Sequence, residues 1–335
     1  MTSDHRGTAL LDRDLQRPAG LYPIEIAFAD YDRTRPIIDG RVKPKSLALK
    51  ANTAWIGDFC RRPVYEEYDA AEMSFSWYIA ARDRGEPVIA LPIFPLRVPV
   101  WAYLYVRADS PITKPSDLIG KRIGTESYRY TINLWLRGIC KEYYGLSPEQ
   151  ATWVTTVTEG AGFVAPKNVT IEVTPGITAD DNIKNGVVDA IFCFAVPKPV
   201  VAGETWLRRL FPDAQAETQA FFRRTGIMPI THTMVMKKEL AEREPWIAES
   251  LYHAFVEAQR MADRVYEIDP KLTSLIDSVY ILEQQKSAYG PNPYSHGVRN
   301  NRKVIETFAR YAHDQGYISR VIPVEELFVP ATLDL

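Results

Sequence analysis

Apolar residues between positions 22 and 235 come in short strand-like runs that alternate with stretches of helical period, punctuated by glycine and proline. YPIEIAFAD, Tyr22 to Asp30, reads as a strand entering the polar loop DYDRTRPIIDG, and SLALKANTA reads as its neighbour. EEYDAAEMSFSWYIAARDRG passes from a short acidic approach through Glu72, Met73 and Ser74 into a helix. The apolar tract from Val88 to Val106 has nearly the length of a membrane span, but Pro92, Pro95, Pro99 and Arg97 spoil a lipid-facing helix. It predicts two short strands with Arg97 at the turn between them. In SPITKPSDLIGKRIGTE, Ser116 caps a single turn, Gly120 ends it and KRIGT begins a strand. YTINLWLRGICKEYYG predicts an amphipathic helix stopped by Gly145, VTIEVT a strand, and ADDNIKNGVVDAIFCFA a helix, a turn and a buried strand. TGIMPITHTMVM predicts a further strand with His232 in its middle, and PWIAESLYHAFVEAQRMADRVY and NNRKVIETFARYAHDQG predict long C-terminal helices.

Repeated strand–helix units predict an α/β fold, with ligands where loops leave the carboxyl ends of strands. A chain of 335 residues is too long for one small core and too short for three domains. Two lobes are expected: residues 20–105 with 232–335 in one, 106–231 in the other, and residues 1–19 as a leader. At 46% apolar and 24% charged residues with a net charge of −2, the chain has no electrostatic footprint for nucleic acid or an anionic membrane. Cys60, Cys140 and Cys193 lie far apart without a CxxC pair and read as reduced thiols, neither a disulfide framework nor a zinc site. The first twenty residues lack the apolar core of a secretory signal, so a cytoplasmic protein is expected. The oligomeric state is left open, a homo-oligomer included. HExxH, P-loop, GxGxxG and GxSxG patterns are missing, which removes support for metalloprotease, nucleotide-binding and serine-hydrolase readings.

DLIGKRIGTE, followed by a helix and later by NGVVDAIF, resembles the two-lobe type 2 periplasmic-binding-protein fold, in which two crossing strands form a hinge and the ligand sits in the cleft. More closely, DYDRTRPIIDGRVKP, AAEMSFSWYIA, LPIFPLRV, DLIGKRIGTESYRYT, RRTGIMPITHTMV and PVEELFVPATL together resemble the 4,5-dihydroxyphthalate decarboxylase family, in the right order and from about Ile24 onward. The resemblance implies a cofactor-independent carboxy-lyase that converts 4,5-dihydroxyphthalate to 3,4-dihydroxybenzoate and CO₂. Where the family pattern carries an aromatic-Gly-Val-Glu run, this chain has YSHGVRNNR, so His296 and Arg299 bear on the substrate. The alternative is a solute-binding protein for an aromatic or small carboxylate, which needs only a clamp.

Such a decarboxylation needs a cation for the retained carboxylate, an acid at the ring carbon and an acceptor for the phenol. Arg97, between apolar strands, is either a structural salt bridge or a carboxylate clamp. Arg129, beside Tyr128 in SYRYT, falls where a helix begins; Ser127 or Thr131 can cap that helix and free N–H groups can collect an anion. Ser74 and Ser76 cap a helix, bind a ligand oxygen, or both. Asp32 and Arg33 are a turn pair or ligand contacts. Asp32, Glu72, His232 and His296 are able to bind metal, but their spacing gives no sign of convergence. His232 is either a core histidine bonded to a carbonyl or a site residue, the general acid or the group that orients the phenol, and the resemblance, whose motif keeps the histidine, favours a site role.

Overall fold

The computed structural model describes residues 20–53, 57, 61–159, 163–268 and 270–335. The expected leader, His5 and Cys60 lie outside them. Among these residues the strands in chain order are β1 (Tyr22–Phe28), β2 (Leu47–Thr53), β3 (Ala70–Ser74), β4 (Val88–Leu91), β5 (Leu104–Arg107), β6 (Arg122–Thr125), β7 (Thr152–Thr155), β8 (Thr170–Val173), β9 (Ala190–Phe192), β10 (Leu207–Arg209) and β11 (His232–Lys237).

Two sheets result, making this an α/β protein. The first has the order β2-β1-β3-β11-β4, with β1 parallel to β2 and β3, and β11 antiparallel to both of its neighbours. Helices cover both of its faces, so β3 is buried along its whole length. Ala71, Met73 and Val235 pack with Phe308 of the helix Val298–Asp314, while Met234 and Met236 pack with Leu251 and Phe255 of the helix Pro245–Ile268. The second sheet has the order β10-β5-β9-β6-β7-β8, with β6 to β9 mutually parallel and β5 antiparallel to β9.

The chain crosses from the first sheet to the second between Leu91 and Leu104 and returns between Arg209 and His232. The two crossing segments touch: the Thr231 N–H donates to the Leu96 carbonyl at 2.9 Å, and Arg97 forms an isolated antiparallel bridge with Ile230. Arg97 therefore lies on an extended segment instead of at a turn; Pro92, Pro95 and Pro99 remove the donors a longer ladder would need. For the same reason the strand read over TGIMPITHTMVM shrinks to His232–Lys237, with Pro229 just ahead of it. The turn at Pro115–Leu118 is capped by Asp117, whose carboxylate accepts from the Thr113 and Lys114 N–H groups, not by Ser116; Gly120 ends it at φ 74°. No helix among the described residues is long and apolar enough to cross a membrane.

Candidate active site

Because β11 runs antiparallel to β3, its first residue meets the carboxyl end of β3, with His232 opposite Ser74 and Met234 opposite Glu72. Side chains two apart on a strand share a face, so His232 and Glu72 are diagonal neighbours on one face. His232 Nδ1 lies 2.7 Å from Glu72 Oε1. The Tyr31 hydroxyl donates to the same oxygen at 2.9 Å, and the Ala29 N–H donates to Oε2 at 3.0 Å. Glu72 is 0% exposed, and these three donors offset the burial of its carboxylate. With Nδ1 turned to Glu72, Nε2 is the nitrogen left for a cavity of about 300 Å³ that His232 lines. The carboxylate on Nδ1–H fixes a tautomer in which the neutral ring offers Nε2 as acceptor and the imidazolium offers Nε2–H as donor.

The second sheet supplies the other side. The loops leaving the parallel strands β6 and β9 bring Tyr130, Thr131, Ile132 and Phe194 to the same cavity. Two helices begin here, Phe75–Asp83 and Thr131–Tyr144, and neither is capped by the side chain of its own N-cap residue, the Ser76 N–H of the first donating instead to Thr131 Oγ1 at 3.0 Å. The hydroxyls expected to cap them engage each other instead. Ser74 Oγ is 2.7 Å from Thr131 Oγ1, Ser76 Oγ is 2.9 Å from it, and Ser76 Oγ donates to the Arg129 carbonyl at 2.8 Å. Leu96 and Val98 line the cavity from the crossing segment, and Tyr103 and Phe194 add aromatic surface. The volume is at the lower end of the roughly 300–1,000 Å³ typical of small-ligand pockets.

Arg61 also lines the cavity. Its guanidinium donates to the Tyr130 hydroxyl, sits 4.5 Å over the Tyr130 ring and is 3.9 Å from a Glu126 oxygen. Burial and a hydrogen bond to Glu126 push the Tyr130 phenol above its ordinary pKa.

Other residues singled out in the sequence stand back from the lining. Arg97 alternates with Leu96 and Val98, so it faces away from the cavity. Its guanidinium donates to the Met228 carbonyl at 3.2 Å, the Ser295 carbonyl at 2.7 Å and Asn301 Oδ1 at 2.6 Å, all neutral groups, and burial lowers its pKa to about 10. Arg129 lies 3.8 Å over the Trp77 ring and donates to the Glu159 carbonyl at 3.0 Å; burial lowers its pKa as well. The anion expected at this helix start is supplied by the protein: the Glu159 carboxylate accepts from the Tyr128 N–H at 2.5 Å and the Ser127 hydroxyl at 2.7 Å. The Tyr128 ring is buried 3.6 Å beneath the Arg137 guanidinium. Asp32 and Arg33 pair at 3.1 Å, with Asp32 also accepting from Tyr266 and Arg33 donating to the Pro95 carbonyl at 2.7 Å. Buried His296 accepts the Phe94 N–H on Nδ1 at 3.1 Å, and burial, then Arg97 and Arg33, pull its pKa down to about 3. Among the described residues no group of three or more His, Cys, Asp or Glu is placed to hold a metal ion.

The sequence reading missed Tyr31, Arg61, Tyr103, Tyr130 and Phe194. Tyr31 and Tyr130 stand inside quoted motifs, one residue from the positions chosen, whereas Arg61 carries no local signal, since its partner Tyr130 lies 69 residues away.

No family model matches the chain. It is 31% identical over 327 residues to a 4,5-dihydroxyphthalate decarboxylase of Comamonas testosteroni, covering 93% of this chain and 97% of that protein. It is 30% identical over 211 residues to a protein of the same name from Pseudomonas putida, covering 60% of this chain and 81% of that one. Among solved structures, the fold is similar to the alkanesulfonate-binding protein SsuA of Xanthomonas axonopodis pv. citri bound to MOPS, with TM-score 0.53 and 15% identity over 94% of this chain and 99% of that one. It is also similar to the periplasmic aliphatic sulphonate binding protein SsuA of Escherichia coli, with TM-score 0.52 and 12% identity over 91% of each chain.

Proposed function

The chain belongs to the 4,5-dihydroxyphthalate decarboxylase family, and from that premise we propose that it is a carboxy-lyase for a dihydroxylated aromatic dicarboxylate, forming 3,4-dihydroxybenzoate and CO₂ from 4,5-dihydroxyphthalate with His232 as general acid. The observation that carries this reading is the pair made by buried Glu72 and His232 at the cavity. A ring hydroxyl para to the departing carboxylate pushes electron density onto the carbon that bears it. The His232 imidazolium gives its Nε2 proton to that carbon, Glu72 compensating the ring's charge beforehand. The carbon–carboxylate bond then breaks, its electron pair restores aromaticity, CO₂ leaves, and the imidazole regains a proton from solvent. One proton is consumed per carboxylate lost.

Tyr103 and Phe194 supply faces against which the substrate ring packs, and the Ser74 and Thr131 hydroxyls are partners for its phenols. Arg97 and Arg129 act in this reading as positive charges behind the cavity wall, without touching the substrate. The two lobes divide where the chain crosses between the sheets. A cytoplasmic role in aromatic catabolism fits the free thiols Cys140 and Cys193.

The test is incubation of the purified, metal-stripped protein with 4,5-dihydroxyphthalate, following CO₂ and the product's ultraviolet spectrum, with and without added divalent metal. Turnover is expected, and His232→Asn should keep phthalate binding while lowering kcat by about 10²- to 10⁴-fold. Binding without turnover in the unaltered protein would favour the solute-binding reading instead. Full turnover by His232→Asn would return His232 to the core.

A further inference from the structure

Placing one ring carboxylate at His232 leaves the other to be held elsewhere in the same cavity. The remaining lining holds no other charge for it: Leu96, Val98, Ile132 and Phe194 offer no donor side chain, and the tyrosines, Ser74, Thr131 and Thr231 offer only neutral hydroxyls. Arg97 and Arg129 are turned to carbonyls outside the lining. Among the described residues that line the cavity, Arg61 is the one permanent cation. Its side chain is 29% exposed, hence reachable, and the Tyr130 ring beneath it, with the donation to the Tyr130 hydroxyl, holds the guanidinium plane in place.

We infer that Arg61 is the anchor for the retained carboxylate, the residue that makes this site select a ring dicarboxylate over a monocarboxylate, and that Glu126 restrains it. This rests on the aromatic-dicarboxylate reading above. Glu126 lies 3.9 Å from the Arg61 guanidinium and also bonds the Tyr130 hydroxyl beneath it. A carboxylate there competes with the ligand for the same cation and repels an incoming dianion. The two residues therefore have opposite effects on dicarboxylate affinity, which a purely structural ion pair would not.

Phthalate and benzoate are the probes, because neither carries the para hydroxyl that the reaction needs; binding is thereby separated from turnover. Calorimetry on the full chain should find phthalate bound more tightly than benzoate. Arg61→Met should weaken phthalate roughly 10- to 100-fold, the loss of a charge-assisted contact, while moving benzoate by less than about threefold. Arg61→Lys should recover part of the loss, since it keeps the charge but not the fork. Glu126→Gln should tighten phthalate. Natively folded Arg61→Met with unchanged phthalate affinity, equal loss of both ligands, or weaker phthalate binding in Glu126→Gln would each overturn the assignment. If phthalate binds as described but 4,5-dihydroxyphthalate is not turned over, the decarboxylase reading fails and the anchor stands. If neither acid binds the unaltered protein, both fall.

Discussion

Glu72→Gln isolates the role of the carboxylate behind His232 with a change of one atom. Glu72 is fully buried and accepts three hydrogen bonds, from Ala29 N–H at 3.0 Å, the Tyr31 hydroxyl at 2.9 Å and His232 Nδ1 at 2.7 Å. A glutamine keeps these contacts if its carbonyl faces Ala29 and its amide donates to Tyr31 and to Nδ1. What is lost is the charge assistance, so the variant should fold with a stability loss of about 1 to 3 kcal/mol. The chemical consequence is larger. An amide donating to Nδ1 forces the proton of the neutral ring onto Nε2, and no negative charge remains to compensate an imidazolium. Under the decarboxylase reading, the acid facing the cavity then becomes a neutral imidazole, far too weak to protonate a ring carbon. We expect kcat to fall by about 10²- to 10⁴-fold with KM unchanged or lower. Steady-state kinetics on 4,5-dihydroxyphthalate gives the split, and nitrogen NMR of the labelled imidazole gives the tautomer. A natively folded variant whose kcat stays within about threefold of the parent, or whose proton stays on Nδ1, would refute the reasoning.

Two further outcomes follow from the buried cation and the buried imidazole behind the cavity. Arg97→Met strands three oxygens, the Met228 and Ser295 carbonyls and Asn301 Oδ1, and should cost on the order of 3 to 5 kcal/mol in urea unfolding; normal stability with weakened phthalate binding would make Arg97 a clamp after all. His296 takes a proton near 6.5 when unfolded but only near 3 when folded, so the unfolded state binds the extra proton between those values. Its contribution is complete above about pH 6.5 and is lost as pH falls toward 3, by at most about 5 kcal/mol. His296→Gln should flatten that slope in denaturation curves taken from pH 7 to pH 4, and an unchanged slope would mean the imidazole is protonated in the fold.

Most strands and the two longest C-terminal helices were legible because their patterns are local, whereas the short strands β7 and β10 and the helix Ser278–Tyr289 were not read. The helix Ala214–Thr225 was not read, although its signals are present: Asp213 accepts from the Ala216 N–H at 2.8 Å, and Gly226 closes it at φ 68°. Overlooking those caps let the apolar GIMPI pass for strand. The site was legible in part for a related reason. Motifs mark segments, and segments carried Glu72, Ser74, Thr131 and His232 to one cavity. Which side of an extended segment faces the ligand depends on register, and register at Arg97 is set by a pairing with Ile230 more than a hundred positions on. Arginine in an apolar tract looks the same from either side. Arg129 raised a different problem, since the chain's own Glu159 occupies the anion position that the helix start advertises.

The scaffold is one that solute-binding proteins share, so what favours chemistry over capture must be sought in features that binding alone would penalise. Glu72 is such a feature. From its carboxylate across the 2.7 Å hydrogen bond and the imidazole to a ligand atom at Nε2 is about 8 Å. At an effective dielectric constant near 20, a negative charge at that distance behind a neutral ring, the state a binding site would use, opposes each ligand charge by about 2 kcal/mol. A site selected only to hold an aromatic dianion gains by losing that carboxylate. A site that must deliver a proton gains by keeping it, because the same charge compensates the imidazolium and fixes Nε2–H toward the ring. The two functions thus predict opposite fitness for one buried residue. Under the catalytic reading, Glu72→Gln loses turnover by far more than phthalate affinity, because carboxylate and imidazolium charges disappear together, and a variant that loses affinity in step with turnover would point back to capture.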